Sequence, residues 1–198
     1  VIGNTFVVTQ MASASRRDEW LGLLPILDRL RTQRIIKVPD EIVLEGGDVI
    51  VDNGRIFVGL SQRTGLDGAA YLASQFPQFA VIPVLLKQLT DGENVLHLDC
   101  SFVPVGQRSA LIYPDGLAEM PATIAQNYDL IEVTRPEQQI LATNVLSLSP
   151  TQLIARRQAQ RVNQELRQRG LEVIELPFVD PPKTGGSFRC CSLPLWRD

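Results

Sequence analysis

The sequence predicts a mixed α/β chain built from small ββαβ units set like blades around an axis. Three observations carry that expectation. Helical periodicity is confined to four segments, and two or three short β-type runs separate most of them. The order of strands, helix, strands, helix recurs roughly every 35 to 50 residues, the behaviour of a repeat architecture. A doubly wound sheet would alternate one strand with one helix.

Taken in order, the first β-type run is Phe6–Thr9. The first helical segment opens at Ser15-Arg16-Arg17-Asp18-Glu19 and carries an apolar stripe of Leu21, Leu24, Ile26, Leu27 and Leu30. Pro25 lies within it, which predicts a kink or a late start. Strand-like runs follow at Arg34–Val38, Val49–Val51 and Ile56–Leu60, then a helix from about Asp67 to Gln75. Ala80–Pro83, Val95–Asp99 and Ala110–Tyr113 read as strands before a helix from about Leu117 to Gln126. Leu130–Val133 and Ala142–Leu148 are the next strands. The longest helix is expected after Ser149-Pro150, a proline near its entrance, with Gly170 closing it ahead of Leu171–Leu176.

Composition bounds the function. The 198 residues are 44% hydrophobic and 21% charged, an ordinary globular mixture that excludes collagen-like, low-complexity and coiled-coil chains. The longest apolar run, Ala80 to Leu86 with Pro83 inside, is far short of the roughly 20 residues of a membrane span. Net charge is −3, and the 19 basic residues are scattered apart from the helix around Arg156 to Arg169. Neither a nucleic-acid partner nor a membrane is expected. Cysteines at 100, 190 and 191 do not form a secreted disulfide framework. No basic segment followed by a short apolar core is visible, so a cytoplasmic location is expected.

Three clusters could carry chemistry. His97 is the sole histidine and lies in Leu96-His97-Leu98-Asp99-Cys100. Strand alternation would place His97 and Asp99 on one face, and burying an imidazole with a carboxylate is costly unless the two are used or paired. The bland reading is a satisfied core histidine. In Leu44-Glu45-Gly46-Gly47-Asp48-Val49-Ile50, two glycines between carboxylates permit close backbone approach, or make a plain polar turn. Shortly after it, Gly59-Leu60-Ser61-Gln62-Arg63-Thr64 ends a strand with a cation; alone it could be a helix-capping loop. The third cluster is Gly185-Gly186-Ser187-Phe188-Arg189-Cys190-Cys191-Ser192. A glycine-rich approach exposes a sulfur, and a neighbouring Arg and a nearby protonated His would depress its pKa. Alternatively, both cysteines are small buried hydrophobes. If this segment is a strand, Cys190 and Cys191 point to opposite faces and one of them reaches the site. Metal-ligand spacing is absent, as are a phosphate loop, a dinucleotide fingerprint and a GxSxG elbow. A cysteine, a histidine and several carboxylates from different segments remain, a nucleophile with an acid/base partner and a cationic substrate.

These pieces resemble the guanidine-modifying enzymes of the pentein fold: arginine deiminase, dimethylarginine dimethylaminohydrolase and the amidinotransferases. The segments carrying the resemblance are Ser15-Arg16-Arg17-Asp18-Glu19, Leu44-Glu45-Gly46-Gly47-Asp48-Val49, Val58-Gly59-Leu60-Ser61-Gln62-Arg63-Thr64, His97-Leu98-Asp99, Thr143-Asn144-Val145-Leu146 and Arg189-Cys190-Cys191-Ser192. They occur in the family's order and span nearly the whole chain.

The resemblance implies a pentein-type α/β propeller of ββαβ units about a pseudo-fivefold axis, and one catalytic domain over residues 1–198. It implies Cys190 as nucleophile, His97 as general acid/base and Glu45 as the carboxylate that holds it and contacts the guanidinium. Asp99 would accept hydrogen bonds from the guanidinium, and Arg16 and Arg63 would bind the substrate carboxylate. The implied substrate is a small guanidino amino acid, arginine or a methylarginine. No cofactor or metal is implied, and a homodimer is left open.

Within the resemblance, arginine deiminase chemistry leads. Dimethylarginine hydrolases typically carry a lysine where this chain has Asp99, and a second carboxylate suits an unsubstituted guanidinium. The Cys190-Cys191-Ser192 ending points instead toward the dimethylarginine hydrolases. An arginine dihydrolase and an amidinotransferase are alternatives, and a non-catalytic pentein that binds a ribosomal subunit is the reading outside enzymes. Such a module lacks the Cys, His and Glu set. Since the sequence opens at Val1 in strand pattern and shows four helix-containing units where the family has five, a further N-terminal unit is expected to complete the ring and the site.

Overall fold

The structure is a computed structural model that describes residues 1–27, 34–93 and 95–195. The chain divides into two compact units, one of residues 1–83 with 194–198 and one of residues 84–193.

In the first unit, β1 (Thr5–Val8) runs parallel to β2 (Arg34–Lys37), with Phe6 opposite Ile35. The expected first helix is largely irregular. Two 3-10 turns, Ala14–Arg16 and Glu19–Leu23, precede a single helical turn, α1 (Leu24–Leu27). Pro25 is the second residue of that turn, where its missing N–H is no loss. The stripe is only partly used: Leu27 is buried with Phe6 and Val8, whereas Leu21, Leu24 and Ile26 are exposed. Leu30 lies outside the described residues.

A tight hairpin joins β3 (Val49–Asp52) to β4 (Arg55–Leu60). Its two turn residues, Asn53 and Gly54, both have positive φ (46° and 72°), the backbone that an Asn-Gly pair accepts most readily. After α2 (Leu66–Gln75), β5 (Ala80–Leu85) completes a sheet in the order β3-β4-β5. Val38, Leu44, Ile56, Val58, Ala69, Leu72 and Phe76 form the core beneath it. Gly68 allows α2 to approach the loop before Glu45 closely, since a Cβ there would lie 3.2 Å from the Val43 carbonyl oxygen and 3.3 Å from Leu44.

The second unit holds two sheets of identical plan. In one, β6 (Phe102–Val105) is antiparallel to β7 (Ser109–Ile112), which is parallel to β8 (Asp129–Glu132); α3 (Ala122–Asn127) lies between β7 and β8 in sequence. In the other, β9 (Leu146–Ser147), β10 (Gln152–Arg156) and β11 (Glu172–Leu176) repeat the pattern, with α5 (Gln160–Gln168) before β11. The strand, strand, helix, strand repeat expected from the sequence is therefore present.

Several boundaries differ from the sequence expectation. Ser149-Pro150 opens a turn into β10, not a helix, because Leu153, Ala155 and Arg156 bury their side chains in the sheet. Gly170 does end α5, at φ 79°. The third helix begins at Ala122, after Pro121, later than the expected Leu117. Ala142–Leu148 contributes only the two residues of β9, preceded by α4 (Arg135–Gln139), which a Thr134/Glu137 capping box starts. Val95–Asp99 is not a strand. Leu98–Cys100 forms a 3-10 turn, closed by the Cys100 N–H on the His97 carbonyl at 3.1 Å and the Ser101 N–H on the Leu98 carbonyl at 2.8 Å.

Candidate active site

In the second unit, the 3-10 turn carries Asp99 inward, and Leu98, Asp99 and Cys100 are all buried. A single pleated face shared by His97 and Asp99 is thus corrected. His97 sits on extended backbone (φ −141°) before the turn and is half-buried, while Asp99 projects from the turn itself. A glycine makes room below: a Cβ on Gly116 would collide with the Ser101 hydroxyl and lie 2.8 Å from Val95. Upstream, Glu93 accepts a hydrogen bond from the Tyr113 hydroxyl at 2.8 Å and pairs with Arg135. Burial and the Glu93 carboxylate push the Tyr113 phenol up to about 12.

Cys190 reaches this turn from the end of the unit. It lies in a turn and not a strand, so alternation does not separate it from Cys191. Both cysteines are exposed, and tertiary contacts distinguish them. The Cys190 thiol donates to Asp99 Oδ2 at 3.7 Å, and the Cys190 N–H donates to Asn144 Oδ1 at 3.1 Å. Phe178 stacks on Phe188 at 4.2 Å to hold the turn, and the Cys191 N–H bonds the Ser187 carbonyl at 2.9 Å. The glycines ahead of it have separate uses. Gly185 takes a left-handed φ of 91°, and a Cβ on Gly186 would come within 3.3 Å of the Cys190 Cβ.

Electrostatics at this cluster favour protonated groups. Burial raises Asp99 above the usual carboxylate range, against the lowering influence of Arg189, His97, Cys190 and Asn144. The Arg189 Nε is 3.8 Å from Asp99 Oδ2. The expected depression of the Cys190 pKa does not occur. Although the residue as a whole is exposed, desolvation at its sulfur and then the Asp99 carboxylate raise it to about 11. The Arg189 guanidinium is directed to Asp99, so it does not supply the thiolate-stabilising charge the sequence implied. Cys100, whose thiol lies 3.7 Å from Asp99 Oδ1, is buried and also raised.

The first unit assembles the glutamate motif. Glu45 is fully buried; its Oε1 accepts the Ala12 N–H at 2.9 Å and the Arg63 Nη1 at 3.3 Å. The Glu45 N–H donates to the Thr64 hydroxyl at 3.1 Å. Asp48, equally buried, accepts the Ser61 hydroxyl at 2.7 Å, and Ser61 Oγ in turn accepts the N–H groups of Arg63 and Thr64 at 2.9 and 3.2 Å. Glu45 and Arg63 are thereby brought together. Arg16 is exposed and makes a bidentate pair with Glu19 at 2.9 and 3.0 Å, which raises its pKa. Ser61, Thr143 and Asn144 had no role assigned from sequence. Their only signal was membership of the GLSQRT and TNVL segments. Among the described residues, no group of three or more His, Cys, Asp or Glu could hold a metal ion. No helix among them is long and apolar enough to cross a membrane.

Chemically, the second unit offers a thiol against a buried carboxylate with an imidazole on the same segment. That set can attack an electrophilic carbon, hold a cation and move a proton.

Known proteins resemble this chain in sequence or in fold. An uncharacterised protein of Bacillus subtilis (strain 168), YkgA, is 42% identical over 155 residues, 78% of this chain and 52% of that protein. The chain thus spans about half the length of that relative. The N-terminal domain of ArgZ, an arginine dihydrolase from the ornithine-ammonia cycle in cyanobacteria, solved with product bound, superposes with a TM-score of 0.87 at 22% identity. That match covers 99% of this chain and 72% of the ArgZ domain. A dimethylarginine dimethylaminohydrolase from Pseudomonas aeruginosa, a cysteine-to-serine variant complexed with citrulline, gives 0.73 at 21% identity, covering 86% and 63%. The fold is the pentein α/β fold, as the sequence resemblance implied. The family described as N,N dimethylarginine dimethylhydrolase, eukaryotic, matches residues 1–197, and the chain belongs to that family of guanidine-modifying penteins.

Proposed function

We propose that this chain carries cysteine-dependent hydrolysis of the guanidine group of arginine or a close relative, giving citrulline and ammonia or an amine. The observation that carries the reading is the Cys190 thiol at 3.7 Å from the buried Asp99 carboxylate. A guanidinium accepted by Asp99 would lie beside the sulfur, its positive charge offsetting the burial and the Asp99 carboxylate that together hold Cys190 near 11. Binding would then favour the thiolate where it is needed. The Cys190 thiol proton passes to His97, the sulfur adds to the central guanidinium carbon, and His97 gives that proton to the departing nitrogen as its C–N bond breaks, leaving a thiouronium adduct on Cys190. Water, losing a proton to His97, adds to the same carbon; the C–S bond breaks, and the ureido product leaves with Cys190 regenerated. The roles that the resemblance assigns to Glu45, Arg16 and Arg63 belong to this proposal and are open to the same test by substitution. No cofactor enters it.

Free arginine is the favoured substrate, because a carboxylate at position 99 satisfies N–H groups that methylation would remove. The family match supports methylated arginine as the second reading. Incubation with arginine, monomethylarginine and dimethylarginine, with products identified by mass, separates them. Citrulline from arginine is expected. Citrulline formed only from the methylated substrates would shift the assignment to the second reading, and turnover that needs an added amine acceptor would make the protein a transferase.

A further inference from the structure

We propose that Asn144 is a positioning residue for Cys190: its Oδ1 pins the backbone of the nucleophile, and its Nδ2 is the donor that receives the thiolate. The proposal rests on the hydrolase reading above and adds a residue to that site.

The Asn144 side chain is buried, and its loop is rigidly held. The Asn144 N–H bonds the carbonyl of Leu141 at 3.1 Å, Leu141 itself adopting a left-handed φ of 59°. Next to it, the Thr143 hydroxyl donates to the Cys100 carbonyl at 2.9 Å, tying the loop to the turn that carries Asp99. The orientation of the amide follows from its partner. The Cys190 N–H can be met only by an acceptor, so Oδ1 faces it at 3.1 Å and Nδ2 occupies the other end. That Nδ2 is buried and has no hydrogen-bond partner. A buried amide donor left unpaired is unfavourable unless an acceptor forms beside it during the working cycle.

The thiolate is such an acceptor. While protonated, Cys190 directs its hydrogen to Asp99; once ionised, the sulfur accepts hydrogen bonds. The charged and titratable groups acting on this sulfur are Asp99, which raises its pKa, Arg189 and His97, which act through Asp99, and the neighbouring Cys100. The Asn144 side chain acts as a donor that lowers the pKa of both Cys190 and Asp99, so Nδ2 is directed between them while completing a well-formed hydrogen bond to neither. A merely structural asparagine would need only its Oδ1 contact.

The test is the pH dependence of Cys190 alkylation by iodoacetamide, with the modified peptide identified by mass, in the wild-type protein and in Asn144→Ala and Asn144→Ser. The midpoint should rise by about one unit in each folded variant, so alkylation at fixed pH below it falls about tenfold. Under the same change kcat should drop about tenfold while KM stays within about twofold. An unchanged midpoint in a variant whose circular dichroism is native would overturn the proposal. In the unsubstituted protein, the carbon-13 side-chain carbonyl resonance of Asn144 should move at the same midpoint as alkylation. A resonance that stays fixed while Cys190 ionises overturns the proposal without any substitution. Failure of the hydrolase reading looks different: the unsubstituted protein would then form no citrulline from arginine or the methylarginines, whatever Asn144 does to the alkylation midpoint.

Discussion

At Cys190 a thiol faces a carboxylate that burial has already made reluctant to ionise, and both hold their protons more tightly than free side chains do. Asp99→Asn should therefore bring Cys190 down from about 11, and alkylation at neutral pH should speed up even as arginine turnover falls. Equal alkylation profiles in the two proteins would remove Asp99 as the cause. The same raised pKa links folding to pH. Cys190 contributes stability below the pKa of an unfolded thiol, and that contribution is lost as pH rises through about 11. The melting temperature should accordingly fall more steeply at alkaline pH in the wild type than in Cys190→Ser, as differential scanning calorimetry would read. Turnover should vanish in Cys190→Ser and in His97→Ala but persist in Cys191→Ser, because Cys190 holds the Asp99 and Asn144 contacts. Loss of activity only in Cys191→Ser would reverse the assignment.

Among the elements, the 3-10 turn of Leu98–Cys100 and the loop of Gly116 depend on each other. Gly116→Ala adds a methyl against the Ser101 hydroxyl and Val95, so overpacking should cost about 1–3 kcal/mol in urea unfolding. Because Ser101 follows the turn of Asp99, activity should fall in the same variant. An alanine there with wild-type stability and rate would show that the turn yields freely. On α4, Thr134→Ala removes half of a capping box and should cost about 1 kcal/mol in the same assay, with turnover little changed. Both are local readings, yet only the second was open to sequence inspection, since a Thr-x-x-Glu spacing is visible and a packing clash at Gly116 is not.

For the molecule as a whole, the substrate test decides between a carboxylate that favours unsubstituted arginine and the family's methylated substrates. Sequence reading determined the repeat, with the β3–β4 strands, α2 and the glycine closing α5, and it singled out the segments holding Glu45, Arg63, His97, Asp99 and Cys190. Those features are local in sequence, fixed by apolar period, turn chemistry and motif order. What it missed depends on contacts between residues far apart. Val95–Asp99 has the alternation of a strand, but the turn that forms buries three successive side chains and re-aims Asp99. Ser149-Pro150 has a helix-entry pattern, but pairing of β10 with β9 and β11 claims the residues after it. The sign of the Cys190 shift could not come from its neighbours in sequence either. Arg189 adjoins it along the chain yet pairs with Asp99, about ninety residues earlier. Desolvation and the direction of a charged side chain belong to three dimensions, so the protonation of Cys190 was decided by the tertiary structure alone.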